Sequence, residues 1–495
     1  MQIINLPTAV LVFLAAAAEA TTCTITNSNL SKLSNLKSSC SNIIIDGVTV
    51  PAGTTLDLTD LNDNTVVTFQ GTTSFEYKAW DGPLISVSGK AITVTGATGN
   101  VIDGNGAKYW DGKGSNTGGS VKPKFFSAHS LTGNSVISYL NIKNSPVQMM
   151  SIYQSSYLTV EHINYDNSAG DVNSLGHNTD AFDIGASDHI TIENSIVKNQ
   201  DDCLAINSGT NIKFLGNQCS GGHGISIGSV GGRSDNIVQD VTVSGCSVTN
   251  SQNGIRIKTV SGATGKVDTI TFEDITMSEI SKYGIVIEGD YENSKPTGTA
   301  TGGVPITNLV LNKVTGTVKS TAQDVYILVK NASSWSWSGV SILGGKITKS
   351  CSVSISSWPV SFPVSTSSSS SGEILSAVDS GASSETETSS VLAMLEVTSL
   401  TISPCSIKTC FTTSMTVSVA VDSTNETSVS AVSDSMDDKV GSTALSITMS
   451  EAEMVEICSV GMVVSGKEDT SGEASLYGTK EMLPCSSISI GSSNK

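Results

Sequence analysis

Four short clusters in this 495-residue chain carry groups suited to acid–base chemistry: Asn178-Thr179-Asp180, Gln200-Asp201-Asp202-Cys203, Gly222-His223-Gly224 and Arg256-Ile257-Lys258. Asp180 precedes Asp201 and Asp202 by 21 or 22 residues, and His223 follows that pair by 21 or 22. If this interval is one turn of a stacked solenoid, the positions lie above one another at the inter-strand spacing of about 4.8 Å. Like charges that close raise at least one pKa, so one carboxyl stays protonated near pH ~5 while a neighbour is ionised. Glycosidic cleavage needs that division: one carboxyl protonates the leaving oxygen, and another activates water or attacks carbon. Arg256 and Lys258 alternate around Ile257, so on a strand both point into the same cleft and suit an anionic sugar. Taken singly, Asp-Asp and Asn-Thr-Asp are common turn caps, and Gly-His-Gly is a weak signal. Their joint order and matched spacing argue for a site.

The elements that must position these groups recur from about residue 85 to 345. Each unit is a short β-branched strand, often closed by Asn, followed by a polar turn with Gly or Asp. Representative strands are Ile92-Thr93-Val94, Ile137-Ser138-Tyr139, Leu158-Thr159-Val160, Ile190-Thr191-Ile192, Ile212-Lys213-Phe214, Val241-Thr242-Val243, Ile270-Thr271-Phe272 and Leu309-Val310-Leu311. From the second onward they are spaced by about 21, 32, 22, 29, 29 and 39 residues, so the shortest interval matches that of the charged clusters. A coil that cannot bury its own apolar face stacks on the next, and the pattern predicts an all-β parallel β-helix. A propeller would show periods nearer ~40 with four strands each, and a sandwich would lack the period.

Composition agrees with this class. There are 46 Gly, and only 15% of residues are charged, which disfavours a helical bundle. The net charge of −18 argues against a nucleic-acid partner. Residues 1–20 hold an apolar stretch too short to span a bilayer, closed by Ala18-Glu19-Ala20, and read as a secretory signal cleaved after Ala20. The mature chain is expected to be extracellular, monomeric and free of the membrane. Ten cysteines fit that compartment. Cys23 with Cys40, and Cys203 with Cys219, could close loops, whereas Cys246, Cys351, Cys405, Cys410, Cys458 and Cys485 suggest no pairing. The lack of Cys-x-x-Cys and the 5 His speak against zinc. Asn29, Asn331 and Asn425 stand in glycosylation sequons.

Near residue 352 the repeat stops. Residues 352–495 are Ser/Thr-rich and carry 17 Asp+Glu against 5 Lys+Arg, so most of the negative charge lies outside the repeat region. Such a segment is expected to be a disordered, O-glycosylated stalk, with a small β-rich module as the alternative. The division is therefore 1–20 signal, 21–351 catalytic β-helix and 352–495 extension.

The four clusters resemble the signature motifs of the polygalacturonases, glycoside hydrolase family 28. The strings HNTDAFDIG, VKNQDDCLAINSG, SGGHGISIGSVGG and NGIRIKT are similar to those of secreted endo-acting members. The resemblance spans roughly residues 23–351. It implies a right-handed parallel β-helix that hydrolyses α-1,4-galacturonan with inversion, without a metal or other cofactor. By the same resemblance Asp201 corresponds to the general acid, and Asp180 and Asp202 to the pair that activates water. His223 tunes the carboxylates, Arg256 and Lys258 bind the galacturonate carboxylate, Tyr291 is the cleft tyrosine, and Asn178 supports the first motif. Inversion requires acid and base carboxyls about 6.5–9.5 Å apart. Alternatives are an exo-acting or rhamnogalacturonan-acting relative, a calcium-dependent lyase of the same general shape, and a non-catalytic wall-binding protein. The chain departs from the family where a Cys pair usually follows the strand Tyr326-Ile327-Leu328; here Val329 and then Ser333-Ser334 stand instead. A frame-shifted or misjoined end after about residue 351 and a genuine stalk are the two readings of the tail.

Overall fold

The computed structural model describes residues 21–292 and 296–346, and beyond them the backbone of five strands. The chain falls into two compact units, Met1–Val360 and Ser361–Lys495. The first is a right-handed parallel β-helix. One face is a ten-stranded sheet of Leu56–Leu58, Ile85–Lys90, Phe126–Thr132, Met150–Tyr153, Phe182–Gly185, Asp202–Ile206, Gly224–Val230, Asn253–Val260, Tyr283–Tyr291 and Gln323–Leu328, which we number β1 to β10. The remaining strands form a 22-stranded sheet that closes the coils.

The alternation of β-branched and polar residues explains the coil. In Ile190-Thr191-Ile192 both isoleucines are fully buried while Thr191 faces outward. Ile190, Ile212, Val241, Ile270 and Leu309 stack in register, each within 1% of full burial. Each such side chain contributes about 1.5–3 kcal/mol, and the stack as a whole forms one continuous core. The Asn that closes many strands also has a structural reason. The corner positions Asn194, Gly216, Gly245, Asp274 and Lys313 repeat coil on coil with positive φ, a region that Gly and Asn enter at least cost.

Register bears out the sequence spacing with one correction. The paired residues Phe182 and Leu204 are 22 apart, and so are Asp202 and Gly224. Ile137, however, pairs with Val160 and not with Leu158, which lies opposite Ser135. That coil is 23 residues long and not the expected 21, because strand identity alone does not show which of two alternate apolar positions shares a layer.

Two disulfides form as paired from the sequence, Cys23–Cys40 and Cys203–Cys219, each with Cα atoms 5.9 Å apart. The second starts at the residue after Asp202 and closes a 16-residue separation. Replacing both Cys203 and Cys219 by Ser is expected to lower unfolding free energy by about 3 kcal/mol, measured by urea denaturation. Cys246 is buried and unpaired, its thiol pushed up to about 11 by burial. In place of the expected C-terminal Cys pair, Val329, Trp335 and Trp337 pack into the core, with the Trp335 indole donating to the Ile306 carbonyl at 2.9 Å. Asn29 is half-buried and Asn331 is exposed.

In the second unit, the backbone of Leu395–Ile402, Thr413–Val419 and Thr427–Ser430 forms an antiparallel sheet, and Met462–Glu468 pairs antiparallel with Ala474–Lys480. The readings made of residues 1–20, Cys351, Cys405, Cys410, Cys458, Cys485, Asn425 and the order of the remaining tail lie outside the described residues.

Candidate active site

The charged clusters meet at the N-terminal ends of β5, β6 and β7, and the ladder sorts them into two neighbouring columns. The Ala181 N–H donates to the Asp202 carbonyl at 2.9 Å, which sets Asp180 beside Asp202 on the adjacent coil. The register pair Asp202 and Gly224 sets Asp201 beside His223, whose Nδ1 lies 2.9 Å from Asp201 Oδ1. The single ladder expected from the spacing is therefore a pair of ladders, because Asp201 and Asp202 occupy successive positions. Gly222 makes the second approach possible: a Cβ there would lie 2.0 Å from the Asp201 carbonyl oxygen.

Further out, alternation around buried residues lays a floor of side chains across the sheet. Ser127, Ser151, Asp183, Ala205, Ser226, Arg256, Val286 and Tyr326 follow one another in register from β3 to β10. Ile257 is buried between Arg256 and Lys258, so both cations reach back two coils to the same carboxylate. Asp202 Oδ1 accepts from Arg256 Nη2 at 2.7 Å and Ser226 Oγ at 2.8 Å, and Oδ2 accepts from Lys258 Nζ at 2.8 Å. Lys258 Nζ also lies 5.3 Å from the Tyr291 ring centroid, within cation–π range. Asp201 is bonded differently: Oδ1 accepts the Asp202 N–H at 2.8 Å and lies 2.9 Å from His223 Nδ1, while Asn178 Nδ2 donates to Oδ2 at 3.4 Å.

These contacts separate the protons. Burial pushes the Asp202 carboxyl upward, but Arg256, Lys258 and His223 outweigh it and hold the group well below the usual carboxylate range. Asp180 moves the other way, raised well above that range by burial and then by Asp201, Asp183 and Asp202. Asp183 is pushed up to about 7, mainly by burial, with Lys124 opposing and Asp202 and Asp201 reinforcing. Ligand-type atoms of Asp201, Asp202 and His223 lie within 4.8 Å of one another, so Asp201 and Asp202 approach more closely than the separation of about 6.5–9.5 Å expected of an inverting acid and base. Because Asp202 already satisfies two cations and a hydroxyl, that donor set fits a proton network better than a cation cage.

The Asp183 effect has a measurable sign. A carboxyl whose folded pKa is raised makes folding less favourable as pH rises from about 4, the unfolded value, through about 7. Asp183→Asn is thus expected to raise the urea midpoint above wild type at pH 8, with the two curves converging at pH 4. Equal midpoints at pH 8 would show that the carboxyl carries no such cost.

The sequence matches the model of the family described as glycosyl hydrolases family 28 over residues 40–359. The chain belongs to glycosyl hydrolases family 28. It is therefore a glycoside hydrolase. It is similar to an endo-polygalacturonase of Sclerotinia sclerotiorum, 61% identical over 315 residues that cover 64% of this chain and 82% of that one. A polygalacturonase of Cochliobolus carbonum is 62% identical over 317 residues, covering 64% and 86%. Among solved structures, endopolygalacturonase I from Stereum purpureum, complexed with two galacturonates, matches with TM-score 0.60 and 38% identity over 66% of this chain and 95% of that chain. An endo-xylogalacturonan hydrolase from Aspergillus tubingensis matches with TM-score 0.53 and 26% identity, covering 68% and 99%.

In this family 28 hydrolase every residue singled out from the motifs lines one cleft: Asn178, Asp180, Asp201, Asp202, His223, Arg256, Lys258 and Tyr291. Sequence reasoning missed Asp183 and Glu288. Both could have been found by alternation, since Asp183 faces outward between buried Phe182 and Ile184, and Glu288 is the register partner of Lys258. Glu288 is raised by burial, against the pull of Arg256. The cationic pair is also less free than charge alone suggested, because both members share Asp202.

Proposed function

We propose that the protein is a secreted endo-polygalacturonase that hydrolyses α-1,4-galacturonosyl linkages of demethylated pectin with inversion, as its similarity to named endo-polygalacturonases suggests. The observation that carries the mechanism is the unequal treatment of adjacent carboxyls, Asp202 locked to two cations and Asp201 left with one long hydrogen bond on Oδ2. Asp201 Oδ2 is the oxygen able to hold a proton and deliver it to the leaving glycosidic oxygen. Asp180 and Asp202, on neighbouring coils, together orient and activate the attacking water. His223, on Asp201 Oδ1, fixes the carboxyl plane. Arg256 and Lys258 retain donors beyond those given to Asp202, and these bind the galacturonate carboxylate.

The test is reducing-end release from polygalacturonate with a profile of product lengths. Mid-length oligomers early in the reaction support endo action; monomer or dimer alone would overturn it in favour of exo action, and unsaturated ends absorbing in the ultraviolet would indicate a lyase. Lys258→Met is expected to raise KM about 10- to 100-fold, the effect of losing one charge-assisted hydrogen bond; an unchanged KM would remove Lys258 from substrate binding. Among the described residues no helix is long and apolar enough to cross a membrane. Residues 1–20 serve as the secretion signal and 352–495 as an appended acidic segment. An intact mass of the secreted chain starting at Thr21 and extending to Lys495 supports both, and a mass ending near residue 351 would overturn the second.

A further inference from the structure

The loop from Asp111 to Ser120 is tied to the first motif by contacts that the acid–base scheme does not use. Lys122, whose side chain is 2% exposed, donates from Nζ to Asp111 Oδ2 at 2.8 Å, to the carbonyls of Gly114 at 2.9 Å and Ser120 at 3.0 Å, and to Ser120 Oγ at 3.1 Å. The Asp111 carboxylate also accepts the N–H of Ser120 at 2.8 Å and of Lys113 at 3.0 Å. One ion pair with a buried ammonium thus closes the loop on itself. Its tip then lies directly on His177 and Asn178. The Ser115 N–H donates to Asn178 Oδ1 at 3.0 Å. Gly114 has φ +60, and a Cβ added there would come 2.4 Å from the same Oδ1 and 2.7 Å from the His177 carbonyl oxygen. The other end of the Asn178 amide is the Nδ2 that donates to Asp201 Oδ2. An unbroken path of hydrogen bonds and close contacts runs from the buried ammonium, through the Gly114 carbonyl and the Ser115 N–H, to Asn178 and Asp201.

We propose that loop 111–120, clipped by Lys122, is the positioning element for the Asp201 carboxyl and acts through Asn178. An amide side chain has a broad terminal torsion and presents either end. The Ser115 N–H requires an acceptor, so it selects Oδ1 on its own side and turns Nδ2 toward Asp201. Asn178 backbone, at φ 51, is held in the left-handed region that aims the side chain between the two. Lys122, Gly114 and Asn178 are therefore positioning residues. The inference rests on the assignment of Asp201 as the acid.

The test is a double-mutant cycle in the full-length protein, with Gly114→Ala and Lys122→Met each made alone and with Asn178→Ala. Displacing an acid by about 1 Å costs up to about 100-fold, so kcat on polygalacturonate is expected to fall at least about tenfold in each single variant. KM should change less than kcat. Each double variant should be no slower than Asn178→Ala alone, because the loop acts only through that amide. Losses that multiply in the double variants, or a fall in unfolding midpoint without a fall in kcat, would overturn the inference. If Lys122→Met does not fold, Gly114→Ala, which leaves the ion pair intact, decides the question. An active Asp201→Asn would sink the acid assignment instead, whereas multiplicative losses beside an inactive Asp201→Asn sink only the role of the loop.

Discussion

Asp201→Asn will hydrolyse polygalacturonate about a thousandfold more slowly than wild type, with the loss in kcat rather than KM. The substitution is isosteric. The asparagine oxygen still accepts the Asp202 N–H that Oδ1 accepts at 2.8 Å, and only the 3.4 Å hydrogen bond from Asn178 to the second oxygen is lost. What disappears is the proton on the second oxygen. Two controls separate this from a folding defect. The urea midpoint should stay near that of wild type, and the defect should shrink on a substrate whose leaving group departs without protonation. A kcat within tenfold of wild type, or an equal defect on both substrates, would transfer the acid role to another group.

Asp202→Ala is expected to cost about 3–5 kcal/mol of folding stability, because it leaves two buried cations without their shared carboxylate. Arg256 and Lys258 have side chains only 13% and 8% exposed, so water cannot easily take the place of Asp202. Lys258→Met on that background should recover part of the loss; no recovery would mean that the lost volume, and not the charge, dominates. The wild type shows the same term through pH. A depressed folded pKa contributes stability that is fully present above about pH 4 and is lost as pH falls from there through the folded value. A urea midpoint that stays level in wild type below pH 4, while Asp202→Ala remains destabilised at pH 6, would contradict this account.

The parts of the molecule that were legible in the sequence share one property: they repeat. Coil length, the identity of the buried positions and the coincidence of Asp180, Asp202 and His223 within one region all follow from a period, and a period survives without coordinates. Asp201 and Asp202 could not be sorted into columns that way, since successive residues on a ladder differ in which neighbour they face, and only the register of Phe182 with Leu204 and of Asp202 with Gly224 decides it. The Ile137 register slipped for a similar reason. Contacts across very different separations were invisible altogether. Ser115 and Asn178 are 63 residues apart, and Arg256 and Asp202 are 54 apart, so neither pair lies in adjacent coils. The sharing of one carboxylate by two cations inverted a simple expectation, a cleft with two spare positive charges.

The left-handed corners and the paired columns together make this fold unequally tolerant of length change. A residue inserted into the loop between β9 and β10, where the register partners Ile285 and Val325 are about 40 apart, only enlarges an excursion. The same insertion between Phe182 and Leu204, in a coil with no loop to absorb it, would shift Asp202 one step along its strand and exchange its neighbours for those of Asp201. Evolution can therefore lengthen that wall of the cleft freely while the coils that carry Asp202 and His223 keep their count, and a library of single-residue insertions should find the silent and the lethal sites divided along that line.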